Sequence, residues 1–217
     1  MDTRRITVIG AGGLGGPIAL ALADAGAAVT VCDPDVVELS NLHRQVQFVD
    51  ADVGAGKAEA LARAIAARGG VARGVAARFE PATAAALAGD AAVVVDGSDD
   101  PATKFAVADW ARAAGRPYVI AAALRYGGNV FAGAPGHACY RCLFEDAPDE
   151  APSCGDSGVL GPLVGWIGGV AAAAALRLAG GDRAGAGTIW VLDDLRRGGP
   201  RELRLARRAG CACAEAA

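Results

Sequence analysis

One run near the N-terminus dictates the class of fold: Ile6-Thr7-Val8-Ile9-Gly10-Ala11-Gly12-Gly13-Leu14-Gly15-Gly16. Its apolar residues read as a short buried parallel strand, and the glycines follow at once. Residues 14–25 read as a helix of small side chains and residues 29–32 as a second buried strand, which completes a βαβ unit. In that setting Gly10-x-Gly12-x-x-Gly15 turns the chain from strand to helix and leaves backbone N–H groups at a helix N-terminus, where phosphate binds. The loop alone does not separate a dinucleotide from a nucleoside triphosphate.

The rest of the chain keeps to α/β order. Helices are expected at 57–67, 82–87, 101–114 and 161–178, the third with Pro101 in the favoured first turn. Strands are expected at 71–79, 92–96, 118–122 and 129–133, and a hairpin at 188–192 and 202–205. Residues 137–157 read as an irregular loop rich in Cys, Pro, Asp and Glu. A chain of 217 residues fits one domain, with a nucleotide-binding half over 1–135 and a second half over 136–217. The expected fold is Rossmann-like α/β, its mostly parallel sheet extended by a mixed or antiparallel second half.

The net charge of −3 gives no electrostatic case for nucleic acid or an anionic membrane. Residues 157–176 carry no charge, but they are rich in Gly and Ala and contain Pro162. A helix packed in an α/β core is expected there, not a membrane span. The chain enters its first strand with no room for a signal peptide, so a cytoplasmic location is expected.

A polar cluster follows the second strand: Asp33-Pro34-Asp35, then Ser40-Asn41-Leu42-His43-Arg44-Gln45. Asp33 is placed for a ribose hydroxyl, whichever nucleotide binds. Asp35 reads equally as a solvated loop acid. Asn41 and Arg44 are three apart, so a helical turn puts them on one side, where an amide and a guanidinium can hold a polyphosphate. His43 faces away on that geometry. Lys57 is one of only two lysines, with Lys104. It opens a helix, where a cation is electrostatically unfavourable unless an anionic ligand offsets it. Asp99 lies past the third strand at the sheet edge where ligands bind, and one carboxylate beside phosphate oxygens suits magnesium. Asp96 and Asp100 compete for that role, and each acid also reads as a helix cap before Pro101.

The six cysteines sort themselves. Cys139-x-x-Cys142 and Cys211-x-Cys213 are two close pairs that suit a closed tetrahedral zinc site; in a cytoplasmic chain disulfides are the weaker account. Cys32 reads as a core residue. Cys154 stands in a glycine-flanked polar loop and reads either as a reactive thiolate or as an incidental thiol.

Taken in order, these motifs resemble the ThiF/MoeB/HesA family, relatives of the ubiquitin-activating enzymes. The resemblance rests on Gly-Ala-Gly-Gly-Leu-Gly, Asp-x-Asp-x-Val-x-x-Ser-Asn-Leu-x-Arg-Gln, Val-Gly-x-x-Lys, Asp96-x-Ser98-Asp99, Cys139-Tyr140-Arg141-Cys142 and Cys154-x-x-x-Gly158-Val159-Leu160-Gly161-Pro162, and covers about residues 5–213. It implies ATP-dependent adenylation of the C-terminal glycine of a small ubiquitin-like sulfur carrier protein ending in Gly-Gly, by a homodimer. It also implies that Gly10, Gly12, Gly13, Gly15 and Asp33 hold the adenosine half of ATP. Asn41, Arg44 and Lys57 hold its phosphates, Asp99 holds magnesium, and the second half of the chain binds zinc and the carrier. In some members a cysteine at the place of Cys154 bonds covalently to the carrier or its sulfur. An arginine on the family's N-terminal segment has Arg4 or Arg5 as stand-ins here, Cys211-x-Cys213 is one residue shorter than the usual pair, and a later sulfur step would use a separate donor protein. Two rival readings stay open. One is an NAD(P)-dependent oxidoreductase, which leaves Asn41, Arg44, Lys57 and the zinc cysteines without a task. The other is a catalytically silent zinc-stabilised binding module.

Overall fold

A computed structural model of the chain describes residues 4–147 and 158–215. One eight-stranded sheet runs through it in the order β3-β2-β1-β4-β5-β6-β7-β8. Strands β1 (Arg5–Ile9), β2 (Ala28–Cys32), β3 (Val71–Val75), β4 (Val93–Asp96) and β5 (Tyr118–Leu124) are mutually parallel. Strands β6 (Gly127–Gly133), β7 (Thr188–Leu192) and β8 (Arg201–Arg204) continue the sheet antiparallel. The expected parallel half with an antiparallel extension is therefore the observed fold.

Side chains alternate across each strand, so a strand buried on both faces feeds two cores. Val93 and Val95 of β4 join Ile6, Val8, Val29 and Val31 on one face. There they meet helices α1 (Gly15–Asp24), α2 (Lys57–Ala67) and α6 (Gly161–Ala179). Val94 points the other way, to Phe79, Leu87, Phe105, Tyr118 and Ile120. That face is covered by α3 (Ala84–Ala88) and α4 (Pro101–Ala113), with the short helix α5 (Tyr140–Leu143) at its edge. Helix α6 is long and apolar enough to cross a membrane. In this fold it lies along α1 and the sheet, with Leu163, Ile167 and Ala171 buried.

Several boundaries differ from the sequence reading. Strand β3 ends at Val75 because the chain turns there, so that Phe79 enters the second core instead of extending the strand. Strand β6 starts at Gly127, two residues earlier than expected, because its register with β5 runs to the turn at Leu124↔Gly127. Arg4 and Arg5 sit at the N-terminal end of β1, where Arg5 pairs with Asp90 at 2.8 Å. They lie at the edge of the sheet away from the glycine loop, so neither reaches that loop within its own chain.

Candidate functional site

Strand β1 runs outward to β2 and β3, and the chain then returns to β4 on β1's other side. A crevice opens at such a switch point, beyond the carboxyl ends of the strands. Here it is a cleft of about 1350 Å³. Gly10, Gly12, Gly13, Asp33, Asn41, Arg44, Lys57 and Asp99 all line it. Gly15 lies just behind.

The glycine loop is shaped by close approach. Gly10 has φ +89°, and a Cβ on it would lie 3.0 Å from Ser98 N. A Cβ on Gly15 would overlap the Gly10 carbonyl. Gly12 and Gly13 face more open space, and among the described residues their N–H groups have no partner. Asp33 is buried at the end of β2. Its Oδ2 accepts from Ala11 N at 2.7 Å and its Oδ1 from Asp35 N at 2.8 Å. Burial pushes its carboxyl above the usual range, against the pull of those two N–H groups and of Lys57. Asp33 therefore ties the loop after β1 to the turn after β2 while it faces the cleft.

Asn41 closes a 3₁₀ turn, Leu39–Asn41, and Arg44 Nη2 donates to its Oδ1 at 2.6 Å. The amide and the guanidinium meet as the spacing suggested. His43 does not face away: its Nδ1 donates to the Ser40 carbonyl at 2.9 Å, which leaves Nε2 to accept from Arg44 at 3.4 Å. The segment is an irregular turn, so helical angles do not apply. Lys57 is buried at the start of α2 and pairs with Asp35 at 3.1 Å. Asp35 is thus the lysine's counter-ion, not merely a solvated acid.

The three acids after β4 separate cleanly. Asp96 is fully buried and pairs with Lys104 at 2.7 Å. Lys104 spends its other donors on the carbonyls of Ser98 and Ala121, at 2.6 and 2.8 Å. Asp100 caps α4, accepting from Ala102 N and Thr103 N. Asp99 is exposed in the cleft and makes no hydrogen bond or ion pair among the described residues. It alone is left for a cation. Cys154 lies outside the described residues.

The four cysteines meet away from the cleft, at the edge of the sheet. Their sulfurs all lie within 4.8 Å of one another. The separations include 3.5 Å for Cys139–Cys211, 3.3 Å for Cys142–Cys213, 3.6 Å for Cys211–Cys213 and 4.0 Å for Cys139–Cys142. Four sulfurs ~2.3 Å from a shared tetrahedral centre lie ~3.8 Å apart, so the cage fits a zinc-sized ion. One intervening residue is no obstacle for Cys211 and Cys213. Burial and the neighbouring thiols push Cys139 and Cys213 up. Burial also acts on Cys142, but the N–H groups of Arg208 and Cys139 and the neighbouring thiols bring it down to about 7. Ionising all four sulfurs this close together would take a dication among them.

Gln45 was quoted in the sequence without a role and Gln47 was not singled out at all, yet both are buried beside the glycine loop. Lys104 carried one signal, its rarity; its task as the buried partner of Asp96 could not be read from spacing.

Comparison with known proteins places the chain in a family. The model of the ThiF family matches residues 1–213. The SAMP-activating enzyme E1 of Haloferax volcanii is 39% identical over 186 residues, 80% of this chain and 66% of that protein. The adenylyltransferase and sulfurtransferase MOCS3 of Bos taurus is 39% identical over 212 residues, 94% of this chain and 46% of that protein. The chain thus spans about half to two thirds of the curated relatives it matches. Among solved structures, E. coli MccB superposes with a TM-score of 0.83 at 20% identity, over 97% of this chain and 67% of that one. With its family model matched over residues 1–213, the chain belongs to the ThiF family.

Proposed function

We propose that this protein adenylates the C-terminal glycine of a small ubiquitin-like carrier protein ending in Gly-Gly, using ATP and magnesium. The observation that carries the reading is that Asn41, Arg44, Lys57 and Asp99 line one cleft with Gly12 and Gly13, where Asp99 and the two glycine N–H groups have no partner among the described residues. Relatives named as adenylyltransferases and as an activating enzyme support it. A passive nicotinamide cofactor would leave two cations and the lone acid idle.

In this reading Asp33 takes the ribose, and the loop amides with Arg44 and Lys57 hold the phosphates. A carboxylate oxygen of the carrier attacks the α-phosphorus, and the bond to the bridging oxygen of pyrophosphate breaks. The acyl adenylate and pyrophosphate result. The attacking group is already anionic, so no general base is needed, and negative charge building on the phosphates is met by Arg44 and Lys57. Magnesium on Asp99 would add Lewis-acid stabilisation of the leaving pyrophosphate. Lys57 must exchange Asp35 for a phosphate oxygen, or share itself between them. Zinc in the cysteine cage is structural, since four protein ligands leave no open position. Cys154 serves a later step. Its thiolate attacks the acyl adenylate carbonyl and expels AMP, giving a thioester. The protein works in the cytoplasm as a homodimer.

The test is exchange of labelled pyrophosphate into ATP. Exchange that depends on a Gly-Gly carrier supports the reading; saturable NAD binding without ATP binding sinks it. Cys154→Ser is expected to keep near-normal exchange and to lose any covalent carrier adduct seen by mass spectrometry. Loss of exchange in a folded Cys154→Ser protein would move Cys154 into the adenylation step.

A further inference from the structure

We infer that Gln47, which does not line the cleft, is a positioning residue that aims the glycine-loop amides at the nucleotide. This rests on the ATP-binding reading of the cleft. Gln47 is 9% exposed, and its Nε2 donates to two successive loop carbonyls, Ala11 O at 2.8 Å and Gly12 O at 3.1 Å. The side-chain orientation is fixed by chemistry: the reverse assignment would set Oε1 against both carbonyls.

A trans peptide unit holds its C=O and N–H on opposite sides of one plane. The carbonyl of Ala11 shares its plane with the N–H of Gly12, and the carbonyl of Gly12 shares its plane with the N–H of Gly13. Drawing both carbonyls toward Gln47 therefore turns both N–H groups the other way, to the side of the cleft. Gly12 and Gly13 line the cleft, and among the described residues their N–H groups have no partner. The Gly12 carbonyl also accepts from Gly16 N at 3.0 Å, so Gln47 reinforces that bond at Gly12 and is the donor that holds the Ala11 carbonyl. From the other side Asp33 holds Ala11 N at 2.7 Å. The loop is gripped at consecutive groups by two side chains before any ligand arrives, which is preorganisation of the phosphate site.

The grip has a matching partner in α1. The Gln47 amide lies over the Cα of Gly16, where any Cβ would overlap its Cδ, Oε1 and Nε2. A glycine at position 16 is needed for Gln47 to lie as it does, not for the backbone of α1. Gln47 Oε1 is buried without a hydrogen-bond partner among the described residues, so the amide is held there despite an unmet acceptor. Desolvating that oxygen costs about 1–3 kcal/mol, which packing alone would avoid with an apolar side chain.

Gln47→Met keeps the unbranched shape and removes the donor. Calorimetric titration with ATP, without carrier, reads the effect directly. ATP affinity is expected to fall about tenfold, the worth of one or two misaimed hydrogen bonds, with the melting temperature nearly unchanged. In carrier-dependent exchange, KM for ATP should rise while kcat at saturating ATP holds. Gly16→Ala, which displaces the same amide, should weaken ATP in the same way. Gly16→Ala with Gln47→Ala should be no worse than either alone, because both act through one contact. Folded Gln47→Met that binds ATP as tightly as wild type, or effects of the two sites that simply add, would overturn the clamp and leave adenylation standing. A wild-type protein that binds no ATP would overturn the adenylation reading, and the clamp with it.

Discussion

Asp96, Asp99 and Asp100 occupy one short stretch of chain yet meet three environments, and each environment predicts a different phenotype. Asp99 has no partner to lose among the described residues, so Asp99→Asn should leave stability alone and cut turnover. Loss of one electrostatic stabiliser is worth about 2.7–4 kcal/mol, or 10²–10³ in kcat; Arg44→Ala should act likewise in pyrophosphate exchange. If both variants keep wild-type turnover at saturating ATP, neither residue holds the triphosphate. Lys104→Met should behave in the opposite way. It strands Asp96, which is fully buried, and breaking a buried pair costs about 3–5 kcal/mol. Burial pushes the Asp96 carboxyl up, and the Lys104 ammonium is the chief counterweight. In Lys104→Met the folded carboxyl stays protonated while the unfolded one ionises near pH 4. The folded state then binds more protons, so stability falls as pH rises above that point. Urea melts should show the variant nearest to wild type in acid and furthest behind at neutral pH. The sequence offered the cap before Pro101 to each of the three acids, and the structure gives it to Asp100. The sequence could not exclude Asp96, because that depends on Lys104 folding back across a turn of helix.

The cysteine cage acts at the level of elements. A metal ion held there would fasten the tail at Cys211 and Cys213 to α5 and the turn before it, and so close a loop between positions 72 residues apart. In the loop-closure picture a cross-link of that span is worth about 4 kcal/mol, and metal binding is coupled to folding in the same sense. Metal analysis should find one zinc per chain. Chelation or Cys139→Ser should remove it and lower the urea midpoint, whereas full zinc and unchanged stability in Cys139→Ser would remove the site. The pairing of the cysteines was legible because metal spacing is a short-range signal. The end of β3 was not: Val71–Val75 and the following residues share one hydrophobic character, and only the demand for Phe79 in the second core decides where the strand stops.

At the scale of the whole molecule, Leu39, Val46, Val49 and Val53 are 68%, 72%, 61% and 46% exposed along one connecting segment. Apolar side chains grouped this way mark a surface that is covered in use. Sedimentation is expected to give twice 21.6 kDa, and Leu39→Glu with Val46→Glu should shift the protein toward monomer; a wild-type monomer at micromolar concentration would exclude the dimer. The reversal between β5 and β6 has a consequence of its own. Because β6 runs backward, its first residues, Gly127, Gly128 and Asn129, and the last of β7, Leu192, reach the same rim of the cleft as the ends of β1 and β4. The rim is thus assembled from two lineages of loop that share no hydrogen-bonded register except through β5. In the ATP-binding reading, one lineage grips a ligand that never changes. The other includes the hairpin turn between β7 and β8, residues 193–200, which can lengthen, shorten or mutate apart from the first. Descendants of this chain could exchange one protein partner for another by drift in a few surface turns while the nucleotide half stayed frozen.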